Sequence, residues 1–394
     1  MAEVTVPEGS MATGSSRADR LTSFSAADFA IPSGSEEDWR FTPLDRIADF
    51  LSDDFTAQSL TYESRPAMLE TVGRDDPRLG RVLKPEDRAG AVAWEAFDRA
   101  YVLTIKAGEP QDVSVVAHVP HGMHAAHLVV IAEPGAQGTV VVEHTGDGDL
   151  TEGVEIDVRE GANLTFVSVQ EGGSDARYVS SHRVTEAKDA VFRHIVVTLS
   201  GAFVRMTSSL AFTGEHADAK MLGAYLTDSG QHSEHHVFVD HEAPDCKSRV
   251  TYKGAVQGEN TSAVWIGDAL VGPEADGTDS YEMNRNLVLT RGAEVNSVPN
   301  LEIETGKILQ CGHASTSGRF DEEQLFYLQA RGIPEALARR LVIRGFFAEL
   351  IDQIDIESVR TKLLDAIDHE LDLSAALTGD ETASVPSVEH EVVA

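Results

Sequence analysis

From about residue 91 to about residue 314 the chain is a succession of short runs alternating apolar and polar residues, with almost no 3.6-residue period. Residues 112–119 (DVSVVAHV), 127–131 (HLVVI), 139–143 (TVVVE), 154–158 (VEIDV) and 163–169 (NLTFVSV) are followed by further runs at 191–199, 203–212, 248–252, 263–266 and 286–289. Side chains on a strand alternate between two faces, so each run has one side to bury. A long series of them without intervening helices predicts an all-β core.

Among all-β architectures, a sandwich or barrel would place tight hairpin dipeptides such as Asn-Gly between strands, and these are scarce. Gly-Ala recurs instead, at Gly135-Ala136, Gly161-Ala162, Gly201-Ala202, Gly223-Ala224, Gly254-Ala255 and Gly292-Ala293. Small residues at corners fit a solenoid whose coils stack closely. The spacing is too irregular to establish a repeat, and on these residues alone a sandwich stays open.

The flanks read differently. Residues 26–90 are mixed and mostly helical in pattern, with Thr42-Pro43 placed to open a helix at 44–51 and Trp39 suited to a core anchor. After Gly318, Asp321 with Gln324 predicts a capped helix ending near Gly332. Pro334 opens a second helix to about residue 351, burying Leu337, Leu341 and Phe346. A third, at about 356–371, is amphipathic through Val359, Leu363, Leu364 and Ile367. The two ends are polar and poor in core formers. The expected organisation is therefore a disordered segment at 1–25, an N-terminal helical domain at 26–90, a core at 91–315, a C-terminal helical domain at 316–377 and a disordered tail at 378–394.

Charge and motifs narrow the function. With 65 acidic against 32 basic residues, a net charge of −33, the chain lacks the clustered cations that bind nucleic-acid phosphates. It has no G-x-x-x-x-G-K-[ST] loop, no strand-linked G-x-G-x-x-G and no G-x-S-x-G elbow, so no nucleotide is expected to bind by either familiar loop. No run approaches the roughly 18 apolar residues that span a bilayer, and the first residues carry no signal-peptide pattern, which makes the cytoplasm the expected location.

The sharpest chemical feature is Cys311-Gly312-His313. On a strand, positions two apart share a face, so thiol and imidazole would form a two-ligand half-site. A thiolate is a soft ligand for iron-sulfur units and neutral imidazole binds iron. The competing reading makes Cys311 a small buried hydrophobe and His313 structural. A second cluster, His232, His235, His236, His241 and Cys246, has the residue types of a zinc or iron site. His235 and His236 are adjacent and must face opposite ways, which weakens it. His118, His121 and His124 sit on a turn at the surface, and Glu302 and Glu304 alternate near Cys311. With two cysteines, the chain cannot supply the four thiolates of a self-contained cluster.

Residues 311–333, CGHASTSGRFDEEQLFYLQARGI, resemble the C-terminal signature of the SufB/SufD family of iron-sulfur cluster assembly proteins. The SufD branch is the nearer, because SufB proteins carry Glu-His-Glu where this chain has Cys311, Gly312 and His313. Residues 37–44 (EDWRFTPL), 252–254 (YKG), 278–289 (TDSYEMNRNLVL) and 299–304 (PNLEIE) are similar to the family as well. Where the family commonly reads Cys-Ser-His-Gly, this chain reads Cys311-Gly312-His313-Ala314, which exchanges only small residues.

The resemblance implies a β-helix (β-solenoid) core flanked by N-terminal and C-terminal α-helical domains, and so decides for the solenoid. It implies a non-catalytic scaffold subunit of an ATPase-driven complex, pairing with SufB through the end of the β-helix and docking the SufC ATPase on its C-terminal helices. Cys311 and His313 would face SufB, where a transient iron ion or nascent cluster is shared, and a homodimer without SufB stays open. His241, Pro244 and Ser248 look like a family motif on one coil, a structural role, and Cys246 is less certain. Two rivals remain at this stage: a β-helix carbohydrate-active enzyme, against which stand a 6% aromatic content and no secretion signal, and a purely structural partner with an inert Cys311.

Overall fold

The computed structural model describes residues 17–377 apart from 321 and 355. The tail at 378–394, the first sixteen residues of the expected 1–25 segment and the Asp321 cap lie outside the described residues.

The core winds through eight turns of two strands each. β1 (Gln58–Ser59), β2 (Tyr62–Arg65) and β3 (Glu70–Gly73) precede it, with helix α1 (Arg88–Ala96). β4 (Arg99–Ile105) and β5 (Gln111–His118) make the first turn, β6 (Met123–Ala132) and β7 (Gln137–Gly146) the second, and β8 (Asp149–Val158) and β9 (Asn163–Gly172) the third. The next are β10 (Arg177–Glu186) with β11 (Val191–Ser200), β12 (Phe203–Phe212) with β13 (Asp218–Thr227), and β14 (His232–His241) with β15 (Lys247–Val256). The last two are β16 (Thr261–Val271) with β17 (Asp279–Val288), and β18 (Ala293–Ile303) with β19 (Gln310–Arg319). Even-numbered strands from β4 onward stack in one parallel sheet and odd-numbered strands from β5 onward in the other, so each coil lies directly on the one before it. This is a β-helix, as the corner glycines and the resemblance led one to expect.

The corners show why this sequence can coil. In the second to seventh turns, a residue with positive φ stands between the even strand and the following odd strand, successively Gly135, Gly161, Asp189, His216, Asp245 and Gly277. After each comes a small, fully buried residue: Ala136, Ala162, Ala190, Ala217, Cys246 and Thr278. The amide of each positive-φ residue donates to a carbonyl of the next corner, from Gly135 to Glu160 at 2.9 Å through to Gly277 and Lys307 at 2.6 Å. The left-handed conformation turns the chain, and the small side chain lets the corners stack. Gly-Ala is one solution among several. Two of the six Gly-Ala pairs, Gly223-Ala224 and Gly254-Ala255, lie inside strands instead.

Three apolar layers follow. Between the sheets lies a core running from Leu103 and Val115 through Phe166, Phe192 and Tyr225 to Trp265. Helices α2 (Glu322–Ala330), α3 (Glu335–Ile351) and α4 (Glu357–Leu377) cover the outer face of the odd-strand sheet, with Phe347, Leu350, Val359 and Leu363 against Val169, Ile195, Val197 and Leu222. This explains why β11 has no exposed residue while β5, which those helices do not reach, alternates between buried and exposed. The N-terminal segment covers the other sheet, placing Trp39, Ile47, Phe50 and Leu51 on Val179 and Phe203.

That segment differs from the helical pattern expected of residues 26–90. Up to Leu51 it is a series of short 3-10 turns, including Leu44–Arg46 and Ala48–Leu51 where one helix was expected, followed by the three short strands and only then α1. The polar stretch before residue 26 is also anchored where it is described: Arg17 bonds Asp38 at 2.7 Å and Asp268 at 2.5 Å, and Arg20 bonds Glu86 at 2.9 Å. Those partners are distant in sequence, so periodicity within the segment carries no trace of them. No helix among the described residues is long and apolar enough to cross a membrane.

Candidate functional site

The two ends of the β-helix are unlike. At the first, β2 and β3 pair antiparallel with β5 and β4 and close both sheets. At the other, β18 and β19 are the outermost strands, with no strand among the described residues beyond them. Their backbone edge is a surface that another strand can extend.

The inward face of β17 is polar: Ser280, Glu282, Asn284 and Asn286 alternate along it and all are buried. Parallel register sets them beside Cys311, His313, Ser315 and Ser317 of β19. Cys311 is half-buried and His313 exposed, on the same strand two residues apart. Burial pushes the Cys311 thiol above its ordinary value, and a hydrogen bond with Ser280 acts in the opposite direction. Ser280 also lies 2.8 Å from Ser248, whose hydroxyl is 3.0 Å from Nε2 of His241. Ser315 joins the lumen network through Ser297 at 2.7 Å and then Asn284 at 2.8 Å.

His241 therefore reaches Cys311 only through two serines. Burial depresses its pKa to about 3, so it is neutral. Cys246 is the small buried residue of its corner, filling the place that Ala217 holds in the coil before it and Thr278 in the coil after it. Its S–H donates to the Gly214 carbonyl at 3.2 Å, and burial pushes its pKa up to about 11. Neither geometry resembles an open ligand position.

The other histidines of that cluster are engaged elsewhere. Glu234 accepts from His232 at 2.9 Å and from His236 at 2.6 Å and pairs with Arg205. His235, on the opposite face, contacts Thr198 at 3.0 Å and stacks on Tyr225. His118 and His121 are exposed, while His124 is buried. Glu302 accepts the Arg17 amide at 3.0 Å, and Glu304 is exposed in the opposite sheet's connection. Among the described residues no three His, Cys, Asp or Glu side chains are gathered to hold a metal ion. Cys311 and His313 thus remain a two-residue set.

Sequence reasoning passed over Ser280 and Glu282. Their signal is the i, i+2 alternation of polar residues in TDSYEMNRNLVL, an inversion of the usual apolar-in pattern.

These features define a parallel β-helix protein with one capped end and one uncovered, polar end. Comparison with known families places it further. The model of the SUF system FeS cluster assembly, SufBD core domain, matches residues 115–346, more than half of the chain, and the protein belongs to that family. It is 44% identical over 372 residues to an iron-sulfur cluster assembly SufBD family protein of Mycobacterium bovis, covering 91% of this chain and 94% of that protein. To the iron-sulfur cluster assembly protein SufD of Escherichia coli it is 26% identical over 385 residues, covering 86% and 89%. To that of Bacillus subtilis it is 24% identical over 253 residues, covering 62% and 57%.

Proposed function

We propose that this chain is a SufD-type scaffold subunit of a cytoplasmic SufBCD complex, without catalytic activity of its own, that supports iron acquisition and nascent cluster assembly. The observation that carries this reading is the pairing of a half-buried thiol with an exposed imidazole, Cys311 and His313, on the edge strand of the uncovered end. An edge strand of this kind is where SufB would join, and two soft ligands require the partner to complete the coordination of iron or of a transient cluster. The chain itself would bind no nucleotide.

The ATPase SufC would dock on the C-terminal helices. There Phe326 is 72% and Tyr327 57% exposed, and Leu337 and Leu341, expected in the core, are partly open as well. Aromatic side chains left in water on a helix that already packs by its other face are suited to a partner. ATP hydrolysis would alter the geometry between SufB and this chain and so open Cys311 and His313 to iron and sulfide.

Anaerobic co-expression with SufB and SufC, followed by purification through a tag on this chain, tests the assembly. A stable complex containing both partners is expected, and Phe326→Ala combined with Tyr327→Ala should release SufC while retaining SufB. Failure of the wild-type chain to retain SufB would contradict the assignment.

A further inference from the structure

Beside the thiol and imidazole lies a buried carboxyl that the reading above leaves without a role. Glu282 is 2% exposed, and among the described residues neither of its carboxylate oxygens has a hydrogen-bond partner. Such groups are uncommon in folded proteins, because a buried polar atom left unpaired costs about 1–3 kcal/mol, and each calls for an explanation. The other nearby acids are committed: Asp268 to Arg17 and Asn300, Asp279 to Arg249 and Gln310.

Three further observations point the same way. Register sets Glu282 directly beside His313, one strand spacing of about 4.8 Å away, and two residues along from Ser280, the register partner of Cys311. On the opposite sheet, a Cβ at Gly267 would lie 2.1 Å from the Trp265 ring and 3.0 Å from Glu282 Oε2, so the absence of a side chain there leaves room for both the indole and the carboxylate. The indole N–H of Trp265 next to that glycine is unpartnered too.

We infer that Glu282 is a third protein ligand for the iron(II) ion handled by Cys311 and His313, its side chain turning from the lumen toward β19 when the metal arrives. The inference rests on the function proposed above. Iron(II) accepts thiolate, imidazole and carboxylate donors together. A thiolate and a carboxylate against a dication make a neutral set, whereas thiolate and imidazole alone leave one positive charge at a half-buried site. Balance requires that the protons of the Cys311 thiol and the Glu282 carboxyl pass to solvent as the ion binds. The turn is needed because the three side chains are not yet gathered in this conformation.

Anaerobic titration of the full-length chain with cobalt(II), read by absorption, tests this apart from any assembly activity. The wild type is expected to show a thiolate-to-cobalt charge-transfer band that Cys311→Ala abolishes. Glu282→Gln and Glu282→Met should keep the band but bind cobalt at least about tenfold more weakly, with altered d–d absorption. Both Glu282 variants should unfold at no lower temperature than wild type, since they remove an unpaired buried carboxyl. If they match the wild type in affinity and spectrum while Cys311→Ala does not, Glu282 is no ligand and the Cys311–His313 reading stands. If Cys311→Ala and His313→Ala also match the wild type, or the wild type binds no cobalt, the underlying reading fails and the inference with it.

Discussion

The thiol of Cys311 and the hydroxyl of Ser280 stand at register-paired positions of the last two strands of one sheet, where the serine opposes the burial that raises the thiol's pKa. A serine O–H donated to sulfur favours the thiolate, and it works against the burial that raises the thiol's pKa.

Removing that hydroxyl should weaken the opposition to burial. Ser280→Ala is expected to raise the Cys311 pKa and slow alkylation by iodoacetamide at pH 8, with the pH–rate profile displaced upward. Cys246 provides an internal control, because it is fully buried with a pKa near 11. One thiol should label in the native protein and two in denaturant, and an unchanged profile in the variant would mean that the serine does not tune the thiol.

Farther inside the coil, Glu152 accepts from His144 at 2.9 Å, from Ser180 at 2.8 Å and from the Tyr62 hydroxyl. These partners overcome its burial and hold its pKa at about 2, while that of His144 is raised above its ordinary value. A depressed carboxyl contributes stability above its ordinary value of 4.5 and loses it as pH falls through about 2. A raised imidazole contributes fully below 6.5 and loses it as pH rises through its folded value. Glu152→Ala should therefore cost most between those ordinary values, about 3 kcal/mol in urea unfolding. A difference that does not vary with pH would show that the pair is not charged in the folded state.

Gly254 and Gly223 make a different kind of prediction. A Cβ at Gly254 would lie 1.9 Å from the ring of Tyr225, and one at Gly223 2.1 Å from the ring of Tyr252. Each glycine sits at the register position of the tyrosine on the adjoining strand. Gly254→Ala should destabilise by about 1–3 kcal/mol through overpacking, measured by urea unfolding. Tyr225→Leu in the same chain should recover part of the loss if the ring is its cause.

These glycines also show where the sequence was readable. Gly-Ala pairs suggested corners, and at Gly135 and Gly161 they are corners. At Gly223 and Gly254 the same pair makes room for an aromatic ring on the adjoining coil, which no local pattern announces. Asp189, His216 and Asp245 take the same corner conformation without glycine, so the repeat is regular in space and irregular in letters. Cys246 follows from this: it has the composition of a ligand and the position of an alanine. The N-terminal segment was misread for a related reason, since its 3-10 turns are held by contacts such as Trp39 with Arg205, whose guanidinium lies 3.8 Å from the ring centroid. The adjacency of Cys311 and His313 was legible because strand alternation is local, whereas Glu282 beside His313 required the register between strands.

The central claim, that Cys311 and His313 serve cluster assembly, is tested most directly by reconstituting the anaerobic complex of this chain with SufB and SufC. Iron and sulfide would be supplied, and cluster formation followed by absorption and Mössbauer spectroscopy for wild type, Cys311→Ala and His313→Ala. The account predicts that all three chains form the complex and that His313→Ala loses most of the cluster. Equal cluster yield in the wild type and both variants, with the complex intact, would contradict it and leave this chain a structural partner.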